Sequence, residues 1–171
     1  NDIVLETSNQ GTDLVLTSVD IYSLPENVEN LTLIEGSDWG YGNSLDNVIQ
    51  GNSGDNTILG WTGSSKNYSS GTGKDTLIGG DGNDTYGVDS VDDIIKEFSS
   101  GGTDTVNSSV SYVLSSNIET LYLTGTSSDH INGTGNSISN LISGNSGNNI
   151  LIGKGGNDTL WGHQGNDTFK G

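Results

Sequence analysis

The sequence predicts an all-β protein built as one continuous β-solenoid of short strands. Three observations lead to this fold class. Glycine-rich blocks recur every nine residues, an acidic residue repeatedly stands two places before a large apolar one, and no segment shows helical periodicity. Proline occurs only at Pro25, so proline prevents strand pairing at no other position.

The nine-residue blocks are clearest at residues 135–170. Each block begins with Gly, apart from one that begins with Ser and one that begins with Val, and has Asn or Asp sixth and a large apolar residue eighth. In this region the eighth residues are Ile142, Leu151, Leu160 and Phe169. Earlier blocks occupy residues 42–59 and 70–96, with Ile49, Ile58, Leu77, Tyr86 and Ile95 in the eighth place. We expect all of these apolar side chains to point into the core.

A longer repeat of about 91 residues encloses the short one. "NDIVLETSNQGTD" from Asn1 matches "DDIIKEFSSGGTD" from Asp92, and "GNSLDNVIQGNSGDNTILG" from Gly42 matches "GNSISNLISGNSGNNILIG" from Gly135. We therefore divide the chain into a first long repeat, residues 1–91, and a second, truncated one, residues 92–171. Residues 60–69, "GWTGSSKNYS", form a degraded block that lacks the acid and the apolar plug.

Segments without glycine fit the same rule more loosely. An acid two places before an apolar residue occurs in the pairs Asp2/Val4, Asp13/Val15, Glu29/Leu31, Asp104/Val106, Glu119/Leu121 and Asp129/Ile131. Their spacing drifts from nine to eleven residues and sometimes more. We expect one solenoid with some lengthened rungs rather than two domains joined by a linker.

Each block divides into a turn of six residues and a strand of three. Glycine allows the turn because it reaches positive φ without strain. One three-residue strand buries almost nothing alone, so stacking must stabilise the fold. If strands alternate between two sheets, two blocks complete a coil, and each sixth-position carboxylate lies above the one eighteen residues away.

The charge balance favours a cation as the stabilising partner. Asp and Glu outnumber Lys and Arg by 22 to 5, hydrophobic residues make up 29%, and the formal charge is −17. Such a composition is typical of disordered chains unless something offsets the repulsion. It argues against nucleic acid and anionic membrane surfaces as partners, because both favour Lys and Arg. No apolar run is long enough to predict insertion into a membrane, and the absence of Cys excludes thiol chemistry. Stacked carboxylates and turn carbonyls suit Ca²⁺ better than Mg²⁺, and no His or Cys cluster suits zinc.

These blocks resemble the RTX (repeats-in-toxin) family of haemolysin-type calcium-binding repeats, whose pattern is G-G-x-G-x-D-x-U-x, with U a large apolar residue. "GGDGNDTYG" from Gly79 matches fully, and "GTGKDTLI" from Gly71, "GKGGNDTLW" and "GHQGNDTFK" match closely. The resemblance implies a right-handed parallel β-roll with several Ca²⁺ ions between successive loops. It also implies type I secretion from a bacterium, in an unfolded state, with folding in extracellular calcium.

Carried onto this sequence, the resemblance implies a set of calcium ligands. Asp75, Asp84, Asp158 and Asp167 are the strongest, and Asp93 is expected to share a site with Asp75, since they stand eighteen residues apart. By the same spacing, Asp158 faces Asn140 and Asp167 faces Asn149. The remaining candidates are Asn56, Asp89, Gly73, Gly79, Gly80, Asp81, Gly82, Gly153, Gly155, Gly156, Gly162 and Gly165.

Two features of the pattern predict weaker sites. Asn47, Asn56, Asn140 and Asn149 stand where the family has Asp, so these blocks are expected to hold calcium weakly, with Asn side chains bonding to each other up the stack. The partner of Asp84 two blocks back falls in the degraded block.

The sequence favours a structural, non-enzymatic role, because the chain has no Arg to assist paired carboxylates in a cleft. We expect a secreted module of an adhesin, surface-layer or filament protein, in which copies stack end to end. A polysaccharide-binding module and the carboxy-terminal secretion domain of a toxin, protease or lipase stay open as alternatives. The aromatic residues Trp39, Tyr41, Trp61 and Tyr68 are either a sugar-stacking platform or the cover of a bulge, and we favour the cover. The absence of Met leads us to expect a segment of a longer protein.

Overall fold

The computed structural model describes residues 4–8, 10–62, 73–126 and 128–171. These residues form seventeen strands and no helix. The described part of the chain therefore contains no helix that could cross a membrane. The strands are β1 (Leu14–Thr17), β2 (Ile21–Ser23), β3 (Asn30–Leu33), β4 (Trp39–Tyr41), β5 (Val48–Gln50), β6 (Thr57–Leu59), β7 (Thr76–Ile78), β8 (Thr85–Val88), β9 (Ile94–Lys96), β10 (Thr105–Ser108), β11 (Tyr112–Val113), β12 (Thr120–Leu123), β13 (Gly133–Thr134), β14 (Leu141–Ser143), β15 (Ile150–Ile152), β16 (Thr159–Trp161) and β17 (Thr168–Lys170).

The chain alternates between the two sides of a solenoid. All even-numbered strands form one eight-stranded sheet, from β2 to β16, whereas the odd-numbered strands form a five-stranded sheet, β1 to β9, and a four-stranded sheet, β11 to β17. Every pairing is parallel, as in β14 with β16, where Leu141 faces Thr159. The predicted β-solenoid is therefore confirmed.

The core is a stack of single inward side chains. Ile49 faces Leu77, and Leu77 faces Ile95, along one sheet, while Ile58 faces Tyr86 along the other. All five are buried to at least 98%. Full burial of such a side chain stabilises the fold by about 1.5–3 kcal/mol, so many rungs together offset the small area of each strand.

Two inward positions are occupied by glycine. A Cβ built on Gly40 would lie 3.2 Å from side-chain atoms of Leu31 and Ile49, and one on Gly133 would lie 2.8 Å from Ile142. The coil is narrow at both places. Gly133 pairs with Leu151 and so takes the inward strand position, while Ile131, two residues earlier, is partly buried and packs against the core. The contact of Ile131 with the core agrees with the predicted Asp129/Ile131 rung, although the strand residue of that rung is Gly133.

One coil of the first repeat is lengthened. Val48 pairs directly with Thr76, and Thr57 with Thr85, so this coil spans 28 residues instead of 18. The carboxylate of Asp75 packs against Gly60, as that of Asp84 packs against Gly79. β6 ends at Leu59 and β7 begins at Thr76, and the degraded block predicted between them, at residues 60–69, stays a prediction. Ser70, Tyr68 and most of the block lie outside the described residues.

Equivalent positions of the two long repeats lie on opposite sides of the solenoid. Ile49 and Ile142 occupy equivalent places in the sequence, but Ile49 lies in β5 of the five-stranded sheet and Ile142 in β14 of the eight-stranded sheet. The difference between β5 and β14 is nine strands, or four and a half coils. An odd number of strands per repeat turns each copy by half a revolution relative to the previous one.

Candidate metal centres

Each edge of the solenoid carries a column of polar side chains, one per coil, just before the strand. On one edge, Asp75 Oδ1 accepts the backbone N–H of Asn47 at 2.8 Å, and Asp93 Oδ1 accepts that of Asp75 at 3.0 Å. On the other edge, Asp84 Oδ1 accepts from Asn56 at 2.7 Å, and Asp104 Oδ1 accepts from Asp84 at 2.8 Å. One oxygen of each carboxylate therefore ties neighbouring coils together.

The first candidate centre consists of Asp75, Asp89 and Asp93. One carboxylate oxygen from each lies within 4.8 Å of those of the other two. Asp75 is 1% exposed and Asp93 5% exposed, and the buried Oδ2 of Asp75 has no hydrogen-bond partner. The sequence prediction placed all three residues among the ligands, and the structure brings them together.

The second candidate centre consists of Asp84, Glu97 and Asp104, with the same 4.8 Å limit between their oxygens. Asp84 is 1% exposed and Asp104 is fully buried, and the Oδ2 atom of each lacks a hydrogen-bond partner. The Tyr86 hydroxyl donates to Glu97 Oε1, and the Phe98 N–H donates to Glu97 Oε2 at 3.1 Å. These bonds orient the Glu97 carboxylate.

The protein environment opposes ionisation of these acids. Burial raises the pKa of Asp75 and that of Asp84 to about 7, despite the N–H bonds that each accepts, and neighbouring carboxylates add to the increase. Burial is also the main cause of the raised pKa values of Asp93, Glu97 and Asp104. A bound cation would reverse this preference, because it favours the charged form.

Main-chain carbonyls of the glycine loop at residues 79–82 lie against Gly101 and Gly102, between Glu97 and Asp104 in the sequence. A Cβ built on Gly101 would lie 3.0 Å from the carbonyl oxygen of Gly80, and one on Gly102 would collide with that of Gly82. Gly80, Gly82 and Gly102 all have positive φ, at 126°, 110° and 134°. Glycine at these positions therefore allows the loop of residues 79–82 and that of residues 101–102 to lie in contact, with the carbonyl groups of the first loop against the second. Asp81 is exposed at the tip of its loop.

The donor set fits calcium. Both centres offer oxygen alone, with three carboxylates apiece, and Ca²⁺ takes about six to eight oxygen ligands. The one ion pair among the described residues joins Lys74 to Asp92 at 3.1 Å, with both side chains largely exposed. The buried carboxylate oxygens that lack a hydrogen-bond partner have no basic side chain beside them in the described part of the chain, and a divalent cation would supply the missing partner.

The carboxy-terminal acids occupy the predicted register without forming such a group. Asp158 Oδ1 accepts the N–H of Asn140 at 2.9 Å, and Asp167 Oδ1 accepts that of Asn149 at 2.9 Å. Their carboxylates pack against Gly153 and Gly162 respectively. The remaining glycines of these loops, Gly155, Gly156 and Gly165, lie against the main chain of the preceding coil. The metal-binding role of these residues stays a prediction.

The asparagines stabilise their loops without a cation. Asn56 Oδ1 accepts the N–H of Asn52 at 2.8 Å, while its Nδ2 donates to the Ser37 carbonyl of the preceding coil at 3.2 Å. Asn140 and Asn149 likewise donate to the carbonyls of Ile118 and Ile131. The contact between coils thus runs from amide to main chain, and the expected Asn-to-Asn bonds up the stack were wrong.

The second centre contains residues that the sequence prediction missed. Asp84 pairs with Asn56 on one side and with Asp104 on the other, so its expected partner in the degraded block was wrong. The sequence prediction did not name Glu97 or Asp104 as a metal ligand, because their coil is 20 residues long and departs from the 18-residue spacing. The "GGTD" of residues 101–104 was the available signal.

The described members of the predicted aromatic group are Trp39, Tyr41 and Trp61. Trp39 and Tyr41 stack with ring centroids 6.1 Å apart on the outer face of β4, where Trp39 is 40% exposed. Trp61 is 2% exposed and lies over Gly87 of β8, where a Cβ would collide with its ring. Tyr68 lies outside the described residues. Trp61 therefore covers part of β8, and the choice between a sugar-stacking platform and the cover of a bulge stays a prediction.

Comparison with known families identifies the repeats. The chain matches the family described as RTX calcium-binding nonapeptide repeat (4 copies) over residues 35–65, 68–95 and 134–169. These residues are more than half of the chain and include Asp75, Asp84, Asp93, Asp158 and Asp167. Comparison with curated proteins and with solved structures gave no match.

Proposed function

The chain belongs to the RTX calcium-binding nonapeptide repeat family, and from this premise we propose that it is a structural module of a secreted bacterial protein, which folds when it binds calcium outside the cell. The observation that supports the proposal most directly is the pair of buried three-carboxylate centres between adjacent coils. Each centre joins residues that the chain brings together only when those coils stack.

Calcium would supply free energy that the fold otherwise lacks. Buried carboxylates with orphaned oxygens disfavour the stacked state, and the acidic excess of 22 to 5 adds general repulsion. A ligand that binds only the folded chain stabilises it by about 2.7 kcal/mol at one hundred times its dissociation constant. Two or more such sites would make folding depend on external calcium.

A structural role fits the arrangement better than catalysis. Five Lys and no Arg leave few cationic side chains to polarise a substrate, and the orphaned carboxylate oxygens are buried rather than exposed in an open cleft. We infer that the module serves as a calcium-stiffened rod in an adhesin, surface-layer or filament protein. Burial of Trp61 weakens the case for a polysaccharide platform.

Far-ultraviolet circular dichroism during a calcium titration of chelator-treated protein tests the proposal, with magnesium as the control. We expect the β signal to appear cooperatively with calcium and not with magnesium. A full β signal in chelator would instead mean that the Asn bonds and the apolar core suffice for folding, and would overturn calcium-dependent folding.

A further inference from the structure

A tyrosine hydroxyl reaches the second centre from inside the core. Tyr86 occupies the inward position of β8, between Ile58 of β6 and Val106 of β10, and its side chain is fully buried. A hydroxyl in an apolar core is unfavourable unless it finds a hydrogen-bond partner. The partner is Oε1 of Glu97, which is one of the three acids of the second centre.

The same hydroxyl lies beside another acid of the centre. A Cβ built on Gly79 would collide with three oxygen atoms. They are Asp84 Oδ2, the Tyr86 hydroxyl oxygen and Glu97 Oε1, so all three lie against one glycine. Asp84 Oδ2 is buried and has no hydrogen-bond partner. Tyr86 therefore belongs to the surroundings of the centre as well as to the core.

The Glu97 carboxylate is held at both of its oxygens. The Tyr86 hydroxyl donates to Oε1, and the Phe98 N–H donates to Oε2 at 3.1 Å. Oε1 lies against Gly79, and Oε2 lies against Gly101. Two hydrogen bonds and two main-chain surfaces thus restrict the rotation of this carboxylate and its movement toward the other two acids.

The buried aspartates of the first centre are held by the main chain instead. The carboxylates of Asp75 and Asp93 accept hydrogen bonds from backbone N–H groups. The inward residues that follow these aspartates are Leu77 and Ile95, which are buried and carry no hydroxyl. Only in the second of the two centres, therefore, does the inward residue of a ligand's own strand hold another ligand in place.

A ligand that cannot move selects an ion by its size. Ca²⁺ binds oxygen at about 2.3–2.6 Å in variable geometry, whereas Mg²⁺ requires about 2.0–2.1 Å in nearly ideal octahedral geometry. Ligands that suit Ca²⁺ must move inward by a few tenths of an ångström to bind Mg²⁺. In the second centre, such a movement of Glu97 would break its hydrogen bond with the Tyr86 hydroxyl.

We propose that Tyr86 sets the ion specificity of the second centre, because its hydroxyl holds Glu97 where the carboxylate suits Ca²⁺ and resists closing around Mg²⁺. The inference rests on the proposed calcium-dependent function and extends it, since it assigns the discrimination between two divalent ions to one side chain. Tyr86 acts through Glu97 and supplies no charge, so it is a positioning residue. Its ring fills the core with or without the hydroxyl, and packing and specificity can therefore be tested separately.

Tyr86→Phe removes the hydroxyl and keeps the aromatic ring. Phenylalanine occupies the same position of its block at Phe169, so the residue type suits this place in the repeat. An Asp75→Asn background removes one carboxylate of the first centre, and calcium is titrated into it by isothermal titration calorimetry with and without excess magnesium chloride. We expect magnesium to compete with calcium about tenfold more strongly after Tyr86→Phe, the equivalent of one hydrogen bond to a charged group.

Two further variants separate specificity from stability. Tyr112→Phe is the matched control, because Tyr112 is also an inward tyrosine, 6% exposed in β11, and lies outside both centres. It should leave the competition by magnesium unchanged. Glu97→Gln removes the charge of the carboxylate that Tyr86 holds, so adding Tyr86→Phe to Glu97→Gln should have no further effect on the competition.

The possible results distinguish this inference from the proposed function. Circular dichroism in saturating calcium reports whether each variant folds. If Tyr86→Phe folds and binds calcium with unchanged competition by magnesium, the specificity role is overturned and calcium-dependent folding stands. Weaker calcium binding without a change in that competition, or loss of folding, would assign Tyr86 to the core alone and also overturn it. An unaltered chain that neither binds calcium nor folds with it would overturn both.

Discussion

Asp75 and Asp93 stand eighteen residues apart, and the Asp93 carboxylate accepts the backbone N–H of Asp75 at 3.0 Å. The hydrogen bond fixes the two coils in register and places both carboxylates, with that of Asp89, around one point. The same contact that orders the stack also concentrates negative charge.

Replacing Asp75 with Asn should have opposite effects with and without calcium. The amide can still accept the Asn47 N–H, but the buried charge is gone. We expect higher stability in chelator, one calcium fewer by isothermal titration calorimetry, and a loss of about 2–3 kcal/mol of calcium-dependent stabilisation. Asp46→Asn, at an exposed neighbour, is the control. Unchanged stoichiometry would exclude Asp75 from the ligands.

Calcium binding should release protons near neutral pH. The pKa values of Asp75 and Asp84 rise from 3.8 to about 7 in the folded chain. Between these values the folded state holds protons that the unfolded state has lost, so the stability of the calcium-free protein should fall as pH rises from about 4 to 7. Calorimetry at pH 6 in buffers of different ionisation enthalpy measures the release. Equal heats in all buffers would contradict it.

Gly102→Ala should destabilise the protein more than Gly11→Ala. Both substitutions impose a φ of 134° on a residue with a Cβ, at a cost of about 1–3 kcal/mol. At Gly102 the added Cβ also collides with the Gly82 carbonyl, whereas Gly11 has open space. Thermal unfolding in calcium should therefore show the larger loss for Gly102→Ala. Equal losses would mean that the interloop contact adds nothing.

Trp61→Ala should lower the free energy of unfolding by about 3–5 kcal/mol, because it removes a buried indole ring and leaves a cavity over Gly87. Trp39→Ala, at a ring that is 40% exposed, should cost much less and serves as the control. Denaturant unfolding in calcium measures both. If Trp61→Ala leaves stability unchanged and abolishes glycan binding on an array, the sugar-binding alternative would replace the structural one.

Much of the fold could be read from the period of the blocks. Ile49, Leu77 and Tyr86 point inward as predicted, because the eighth position of each block is apolar and the sixth is polar. The pairings of Asp75 with Asp93 and of Asp158 with Asn140 followed from two blocks per coil. Regular spacing sufficed wherever every coil had eighteen residues.

The sequence by itself determined the β-solenoid, its inward residues and the glycine loops that suit calcium, because these depend on local backbone freedom and on a short repeat. Only the tertiary structure decided which loops meet where the coils are 15, 20 or 28 residues long. Strand pairing in register overrides sequence spacing there, and it joins Glu97 and Asp104 to Asp84. It also sets nine strands between equivalent positions, which turns the second repeat to the opposite side.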